Sequence, residues 1–321
     1  MSVLSDLTSL RNAPPPAVAV EITAQRVSAA SLELRAGRPV VTAHGVEPLP
    51  PGALVPSLTA ANTHDRTAVL TALGRVLERV GRPRRVGLIV PDPIAKVSLV
   101  RFEKVPARAQ DLDQLIRWQV RKAAPFAIEE GQVSYVPGLL APDGQEFVVT
   151  LARRDVVREY EDLCASVGAH AGLVDLSTFN VINAVLAGRT PEPLADWLLV
   201  NVASDYTSIA ILRGADLIFF RSRSADSEGT LADLVHQTAM YYEDRLQGAG
   251  FSRVMLSGAS TGSGDVEEIG SSLQLRLGTA VVTVDPRQAA TLADRITAAP
   301  ALLDTLAPLV GLLVRGRETA A

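Results

Sequence analysis

Two apolar runs, far apart in the chain, each carry residues that could contact a phosphate. Glu21 lies in the first run, VAVEI, and Asn201 occupies the matching place in the second, LLVNVA. A nucleotide-binding hairpin needs an acidic residue there to hold Mg²⁺, and glycine in the turn that follows, because backbone N–H groups must approach the phosphates. The turn positions hold Thr23 and Ala203, and Asn201 carries no charge. These residues are compatible with a phosphate site and equally with a structural hairpin whose chemistry has been lost.

A glycine-rich segment supplies a third candidate. Residues 254–264, VMLSGASTGSG, are typical of a strand and a loop, with Ser257 and Gly258 at their junction and a helix from about Asp265. Backbone N–H groups at the start of a helix bind anions. The segment lacks the spacing of a P-loop or of a dinucleotide fingerprint, so a plain β–α turn is the alternative. Ser257 also lacks the flanking glycines of a nucleophile elbow, and we predict no nucleophilic role for it.

Composition limits the classes of function. The chain has 321 residues, which suggests about two domains, and 47% of its residues are apolar, enough for a large core. It has 31 Lys and Arg against 35 Asp and Glu, a net charge of −4, so nucleic acid is not an expected partner. The single cysteine excludes a disulfide framework and a zinc site built on several thiolates. The four histidines have no neighbours at metal-ligand spacing, and no metal site is predicted.

The sequence shows neither a secretion signal nor a membrane span. Its first residues lack a basic region followed by a continuous apolar stretch. No run of apolar residues approaches the length that crosses a bilayer. A lone thiol suits a reducing compartment. We therefore expect a cytoplasmic protein.

The pattern of apolar residues predicts the elements that position these candidates. A loose tail, residues 1–16, ends in three prolines and precedes strands over 18–22, 26–34 and 40–43. Strands over 198–203, 207–212 and 217–222 repeat this pattern at an offset of 180, which indicates two halves of common architecture. A β/α unit of the first half, residues 96–169, looks like an inserted module.

Four stretches carry a resemblance to a known family. Residues 18–32 and 198–221 look like paired phosphate hairpins, and the third stretch joins an adenosine loop at 254–258 to a closing helix at 307–316. The fourth, residues 115–130, reads LIRWQVRKAAPFAIEE, in which a tryptophan and a Pro-Phe pair precede two acids. The chain resembles the PilM family, the actin-like proteins of type IV pilus assembly, and more distantly FtsA. The tryptophan segment is the most specific, because it belongs to the module that distinguishes this family from other actin-like proteins.

The resemblance implies an α/β, actin-like (ribonuclease H-like) fold of two domains, with a small α+β module inserted in the first. The first domain would comprise residues 17–95, 170–195 and 300–318. The inserted module would comprise residues 96–169, and the second domain residues 196–299.

The resemblance also implies a scaffold at the inner-membrane assembly platform and not an enzyme. The family binds the short N-terminal cytoplasmic peptide of the membrane protein PilN, in a groove between the first domain and the module. We expect that groove near residues 86–105 and beside the helix that ends at Pro125. Other pilus platform and motor proteins are further expected partners, and through its partners the chain would be peripheral to the inner membrane.

ATP with Mg²⁺ is the ligand that the resemblance implies. The candidate nucleotide-binding residues are Glu21, Thr23, Ser28, Asn201, Ala203, Thr207, Ser257 and Gly258. The family has Asp, Gly and Lys where this chain has Glu21, Thr23 and Ser28, and Asp and Gly where it has Asn201 and Ala203. Losing the lysine and a carboxylate removes charges that complement Mg²⁺ and the triphosphate. We therefore predict a degenerate site that does not hydrolyse ATP. Whether ATP still binds there stays open.

Two alternatives stay open. An actin-fold ATPase or phosphotransferase would depend on Glu21 as its base or Mg²⁺ anchor. The cytoplasmic part of a type II secretion platform protein is also actin-like.

Overall fold

The computed structural model describes residues 16–188, 195–261 and 266–315. Nearly all of the predicted tail, and the predicted helix start at Asp265, lie outside them. The strands in the described ranges are β1 (Val18–Ile22), β2 (Arg26–Arg35), β3 (Arg38–Pro48), β4 (Arg85–Val90), β5 (Ala95–Phe102), β6 (Gly131–Ala141), β7 (Gly144–Arg153), β8 (His170–Leu176), β9 (Asp196–Val202), β10 (Tyr206–Arg213), β11 (Asp216–Ser224), β12 (Arg253–Ser257), β13 (Val281–Thr283) and β14 (Thr291–Leu292). The α-helices are α1 (Arg66–Arg79), α2 (Ala109–Arg121), α3 (Arg154–Ser166), α4 (Ser177–Gly188), α5 (Leu231–Leu246), α6 (Val266–Leu277) and α7 (Pro300–Val314).

The strands form three sheets. The first has the order β14-β3-β2-β1-β4-β8, the second β11-β10-β9-β12-β13, and the third β5-β7-β6. We call the first sheet with α1 and α3 the first half, and the second sheet with α5 and α6 the second half. No α-helix within the described ranges combines the length and apolar character needed to cross a bilayer.

The internal repeat is present residue by residue. Glu21 on β1 lies opposite Ser28 on β2, and Asn201 on β9 lies opposite Ser208 on β10. In both halves the opening strand also pairs in parallel with a strand beyond its hairpin, β4 in the first and β12 in the second. The sequence repeat therefore reflects two halves of common architecture, as predicted.

Two helices cross between the halves and bind them together. α7 packs its leucines on the first sheet, whereas α4 packs Val181, Ile182 and Val185 against Trp197 and Leu199 of the second. At the crossing, an added Cβ on Gly311 of α7 would lie 1.7 Å from the carbonyl oxygen of Asn180 of α4. The two helix backbones therefore meet without room for a side chain.

The inserted module consists of the third sheet and α2. Ile116 and Val120 of α2 are buried against Phe147 and Val149 of β7. Helix α3 falls within the predicted module limits of 96–169, yet its buried side chains, Tyr160 among them, pack in the core of the first half. β14 falls within the predicted second domain but pairs with β3 of the first sheet. Both differences arise because apolar spacing predicts a helix or strand without saying which sheet it joins.

Candidate functional site

A small polar cavity lies where the two halves meet. Its volume is about 30 Å³, and its lining includes five of the eight candidate residues, namely Glu21, Thr23, Asn201, Ala203 and Gly258. The hairpin ends of β1–β2 and β9–β10 thus converge on one point. This is the convergence that the repeat predicts for two opposed hairpins.

Three neighbouring side chains contact the Glu21 carboxylate through hydrogen bonds and an ion pair. Ser177 Oγ donates to Oε1 at 2.9 Å, and Ser28 Oγ donates to Oε2 at 3.4 Å. The Arg26 guanidinium lies 3.8 Å from Oε2. Burial raises the pKa of Glu21, and the charge of Arg26 and the two hydroxyls oppose that rise. The carboxylate is therefore a buried, hydrogen-bonded group and not an open ligand.

A second buried carboxylate, Asp92, lies beside this cavity in the short 3₁₀ turn after β4. It accepts hydrogen bonds from the backbone N–H of Thr178 at 3.1 Å and from the Thr178 hydroxyl. Ser208 Oγ donates to its Oδ2 at 2.6 Å. Burial raises the pKa of Asp92 to about 6, although these hydroxyl and amide donors favour its charged form. Asn201 extends the network, since its Nδ2 donates to Thr178 Oγ1 at 2.8 Å.

We call the set Glu21, Asp92, Ser177, Thr178, Asn201 and Ser208 the central cluster. The sequence reasoning missed Asp92, Ser177, Thr178 and Ser208. Ser208 could have been found as the counterpart of Ser28 in the second half of the repeat. Asp92 stands between Pro91 and Pro93 directly after a short apolar run, a setting that indicates a turn and does not mark a buried carboxylate.

The remaining candidates have structural positions of their own. Thr23 closes its turn, with Oγ1 donating to the carbonyl of Arg26 at 3.0 Å. Gly258 has φ of +79°, and an added Cβ would lie 2.0 Å from the carbonyl oxygen of Val202, so only glycine fits this loop. Ser257 is buried with no hydrogen-bond partner for its Oγ among the described residues. Thr207 lines a neighbouring cavity of about 310 Å³ in the second half.

The small cavity does not fit a Mg²⁺-bound triphosphate. One water requires roughly 10–15 Å³, so a cavity of about 30 Å³ admits very few water molecules. Glu21 and Asp304 present carboxylates to it, and the one cation among its lining residues, Arg26, lies against Glu21. Phosphates would meet acidic groups here without an unpaired cation to offset them.

A larger, mostly apolar groove lies on another side of the molecule, where the module, the first sheet, α4 and the β10–β11 hairpin meet. It consists of a cavity of about 380 Å³ and a smaller one of about 110 Å³, and both are lined by Ser134, Thr150, Val174 and Asp175. The apolar lining includes Val136, Leu173, Phe179, Ile182, Leu186 and Leu217. We call it the β6–β8 groove.

Two edge strands border the β6–β8 groove. β6 is the last strand of the third sheet and β8 the last strand of the first, and residues 134–138 of β6 line the cavity in succession. An edge strand presents backbone N–H and C=O groups that can pair with an added strand. Asp175 and Arg315 form an ion pair at 2.6 Å in the lining, and burial raises the pKa of Asp175. The lining reaches only Val90, Ile94 and Ala95 of the expected residues 86–105 and includes none of α2.

Comparison with known proteins decides the family. The sequence model of the family described as type IV pilus assembly protein PilM matches residues 19–244. The chain belongs to the PilM family. A solved structure, the PilM-PilN type IV pilus biogenesis complex, is 18% identical over 94% of this chain and 98% of that chain, with a TM-score of 0.78. The resemblance and the actin-like fold predicted from it are confirmed.

Two further solved structures match this PilM-family chain with lower TM-scores. The cytoplasmic domain of EpsL, an inner-membrane component of the type II secretion system of Vibrio cholerae, is 10% identical over 95% of this chain and 94% of its own, with a TM-score of 0.48. A Bacteroides thetaiotaomicron protein with an actin-like ATPase fold is 10% identical over 91% of this chain and 94% of its own, with a TM-score of 0.49.

Proposed function

We propose that this PilM-family chain is a scaffold of the type IV pilus assembly platform that binds the N-terminal cytoplasmic peptide of a PilN-like membrane protein in the β6–β8 groove. The observation that carries the proposal is the groove itself, an apolar channel bordered by two edge strands. An extended peptide would gain main-chain hydrogen bonds from an edge and side-chain contacts from the apolar lining. Through that peptide the scaffold would be held at the cytoplasmic face of the inner membrane.

The family relationship supports this choice of ligand. The solved relative with the same fold is a PilM–PilN complex. A competing location exists, because a cleft of about 610 Å³ opens between the loop that carries Val55, strand β5 and strand β11. The experiment must therefore separate the two locations.

Peptide binding should depend on Val136 and not on Val55. Val136 lines the β6–β8 groove and is 50% exposed, and Val55 lines the competing cleft and is 48% exposed, so both tolerate a polar replacement. We expect Val136→Asp to weaken binding about tenfold or more, because a desolvated carboxylate would face the peptide. Val55→Asp should bind as the wild type does. Fluorescence anisotropy with the labelled N-terminal cytoplasmic peptide of a PilN-like protein from the same organism measures both.

Either of two results would contradict the location. Equal affinity of Val136→Asp and wild type would exclude the β6–β8 groove as the binding site. A loss of affinity confined to Val55→Asp would place the peptide in the competing cleft. If the wild-type protein does not bind the peptide, the proposed ligand is wrong.

We further propose that the nucleotide site is degenerate and that the chain is not an ATPase. Saturating Mg-ATP should raise the melting temperature by less than about 1 °C, because the small cavity does not fit the triphosphate. A bound ligand at about 100 times its Kd would add roughly 2.7 kcal/mol, which is a shift of several degrees. Differential scanning fluorimetry with Mg-ATP, and with EDTA in place of Mg²⁺, makes the measurement. A rise of several degrees that requires Mg²⁺ would show that the halves open to hold nucleotide.

A further inference from the structure

We infer that hydrogen bonds within the central cluster do the work of a bridging nucleotide, fixing the two halves at the angle that forms the β6–β8 groove. Ser208, Asp92 and Thr178 are then positioning residues for peptide binding, although none of them lines the groove. The inference rests on the proposed function, since it concerns the same groove and peptide.

One hydrogen bond of the cluster crosses between the halves, and a second joins the second half to the first turn of α4. Ser208 of the second sheet donates to Asp92 of the first half at 2.6 Å, and Asn201 of the second sheet donates to Thr178 at the start of α4 at 2.8 Å. All four residues are buried. Hydrogen bonds to a charged group are among the stronger ones, and breaking one in a buried site leaves a partner unsatisfied. The cluster therefore resists separation of the halves without any added ligand.

The elements that leave the cluster go on to line the groove. α4 begins at Ser177 and Thr178 in the cluster and continues to Phe179 and Ile182 in the groove. β10 carries Ser208 near its start, and Leu212 near its end lines the same cavity. Ile182 and Leu212 pack in one hydrophobic cluster, so a change in the angle between the halves would move this wall of the groove relative to β8 of the first sheet.

α4 transmits such a change because it cannot adjust on its own. Its backbone touches α7 at Asn180 and Gly311, where not even one methyl group fits. Packed helices of this kind shift as rigid elements and do not deform continuously. The position of its first turn therefore sets the position of the side chains that follow in the groove.

The repeat provides a matched control for this inference. Ser28 and Ser208 occupy equivalent positions of the two hairpins, and both are fully buried. Ser28 donates to Glu21 within the first half, whereas Ser208 donates to Asp92 across the halves. Ser28→Ala removes a bond inside one half, and Ser208→Ala removes a bond between them.

Peptide affinity should therefore fall in Ser208→Ala and not in Ser28→Ala. We expect a loss of about five- to tenfold, a fold-change within the range that a typical intramolecular hydrogen bond contributes. Val69→Ala, on the buried face of α1, serves as a variant destabilised at a residue that belongs to neither the cluster nor the groove lining. Affinities are measured by anisotropy well below each melting temperature, with and without Mg-ATP. Hydrogen exchange of the first turn of α4 and of the β10–β11 turn is followed in parallel and should accelerate in Ser208→Ala alone.

The outcomes separate this inference from the proposed function. Three results would each overturn the inference while peptide binding stands. They are an unchanged affinity in Ser208→Ala, a loss of affinity in Val69→Ala equal to that in Ser208→Ala, and a change of affinity of more than twofold on adding Mg-ATP. If the wild-type protein binds no peptide, the proposed function is wrong. Hydrogen exchange alone then tests whether the central cluster fixes the two halves. Equal exchange in Ser28→Ala and Ser208→Ala would then overturn the inference too.

Discussion

Replacing Gly311 with alanine is expected to lower the free energy of unfolding by about 3 kcal/mol or more, at the upper end of what overpacking causes. The new Cβ would lie 1.7 Å from the carbonyl oxygen of Asn180 and 3.0 Å from the backbone nitrogen of Ala184. Both neighbours are backbone atoms of α4, so no side chain can rotate away. The helices would have to separate, and with them the cores that each helix builds against its sheet. Urea unfolding followed by circular dichroism measures the loss.

Gly74→Ala is the matched control. Gly74 lies inside α1, and an added Cβ there meets no atom within 4 Å. This change should stabilise the protein by roughly 0.5–1 kcal/mol, because alanine favours the helix more than glycine does. If Gly311→Ala were as stable as Gly74→Ala, the helices would have room to adjust, and the close crossing would not fix α4.

The strands and helices of the two halves were largely predictable because their signals are local. The runs 18–22 and 86–90 are short, apolar and flanked by turn residues, and the structure has strands there. The internal repeat added information that no single segment contains, since it aligned Glu21 with Asn201 and indicated two halves of common architecture. The register of both hairpins now shows that alignment directly.

What the sequence did not reveal depends on contacts between distant segments. α3 has the same amphipathic pattern whether it covers the module or the first sheet, so its place in the first core was not predictable. Asp92 becomes part of the central cluster only because Ser208, 116 positions later, reaches it. A charged residue at the end of a strand indicates a group that could meet a ligand, and nothing in its spacing marks a carboxylate that the protein itself satisfies. The β6–β8 groove likewise arises from two sheet edges that no motif marks.

The central cluster is held together by hydrogen bonds among its own side chains. The two hairpins still converge, yet Asn201 uses its amide to bond Thr178, and Ser208 bonds Asp92. Because a buried polar group without a partner destabilises the fold, these side chains satisfy each other across the junction.

Asp92→Ala should destabilise the protein by about 3 kcal/mol at neutral pH, because three buried donors lose their acceptor at roughly 1–3 kcal/mol each. They are the backbone N–H and hydroxyl of Thr178 and the hydroxyl of Ser208. Removing a buried charge whose pKa is raised offsets part of that loss. Urea unfolding at pH 7 gives the value, and Ser28→Ala, which takes away one donor to Glu21 at 3.4 Å, should lose far less. Equal losses in the two variants would contradict the central place of Asp92.

Because the pKa of Asp92 is raised, the free energy of unfolding should depend on pH. Burial raises it from 3.8 to about 6, with the nearby Glu21 charge adding to the rise, so the folded protein binds this proton more tightly than the unfolded chain does. The resulting stabilisation is complete below pH 3.8 and is lost as the pH rises through 6. Between pH 7 and pH 5 the wild type should gain roughly 1 kcal/mol from this group. Asp92→Asn does not titrate there and should lack that gain, while Asp175, whose pKa is also raised, contributes equally in both proteins. Parallel pH profiles for the two proteins would show that Asp92 keeps one protonation state throughout and that its hydrogen-bond donors outweigh its burial.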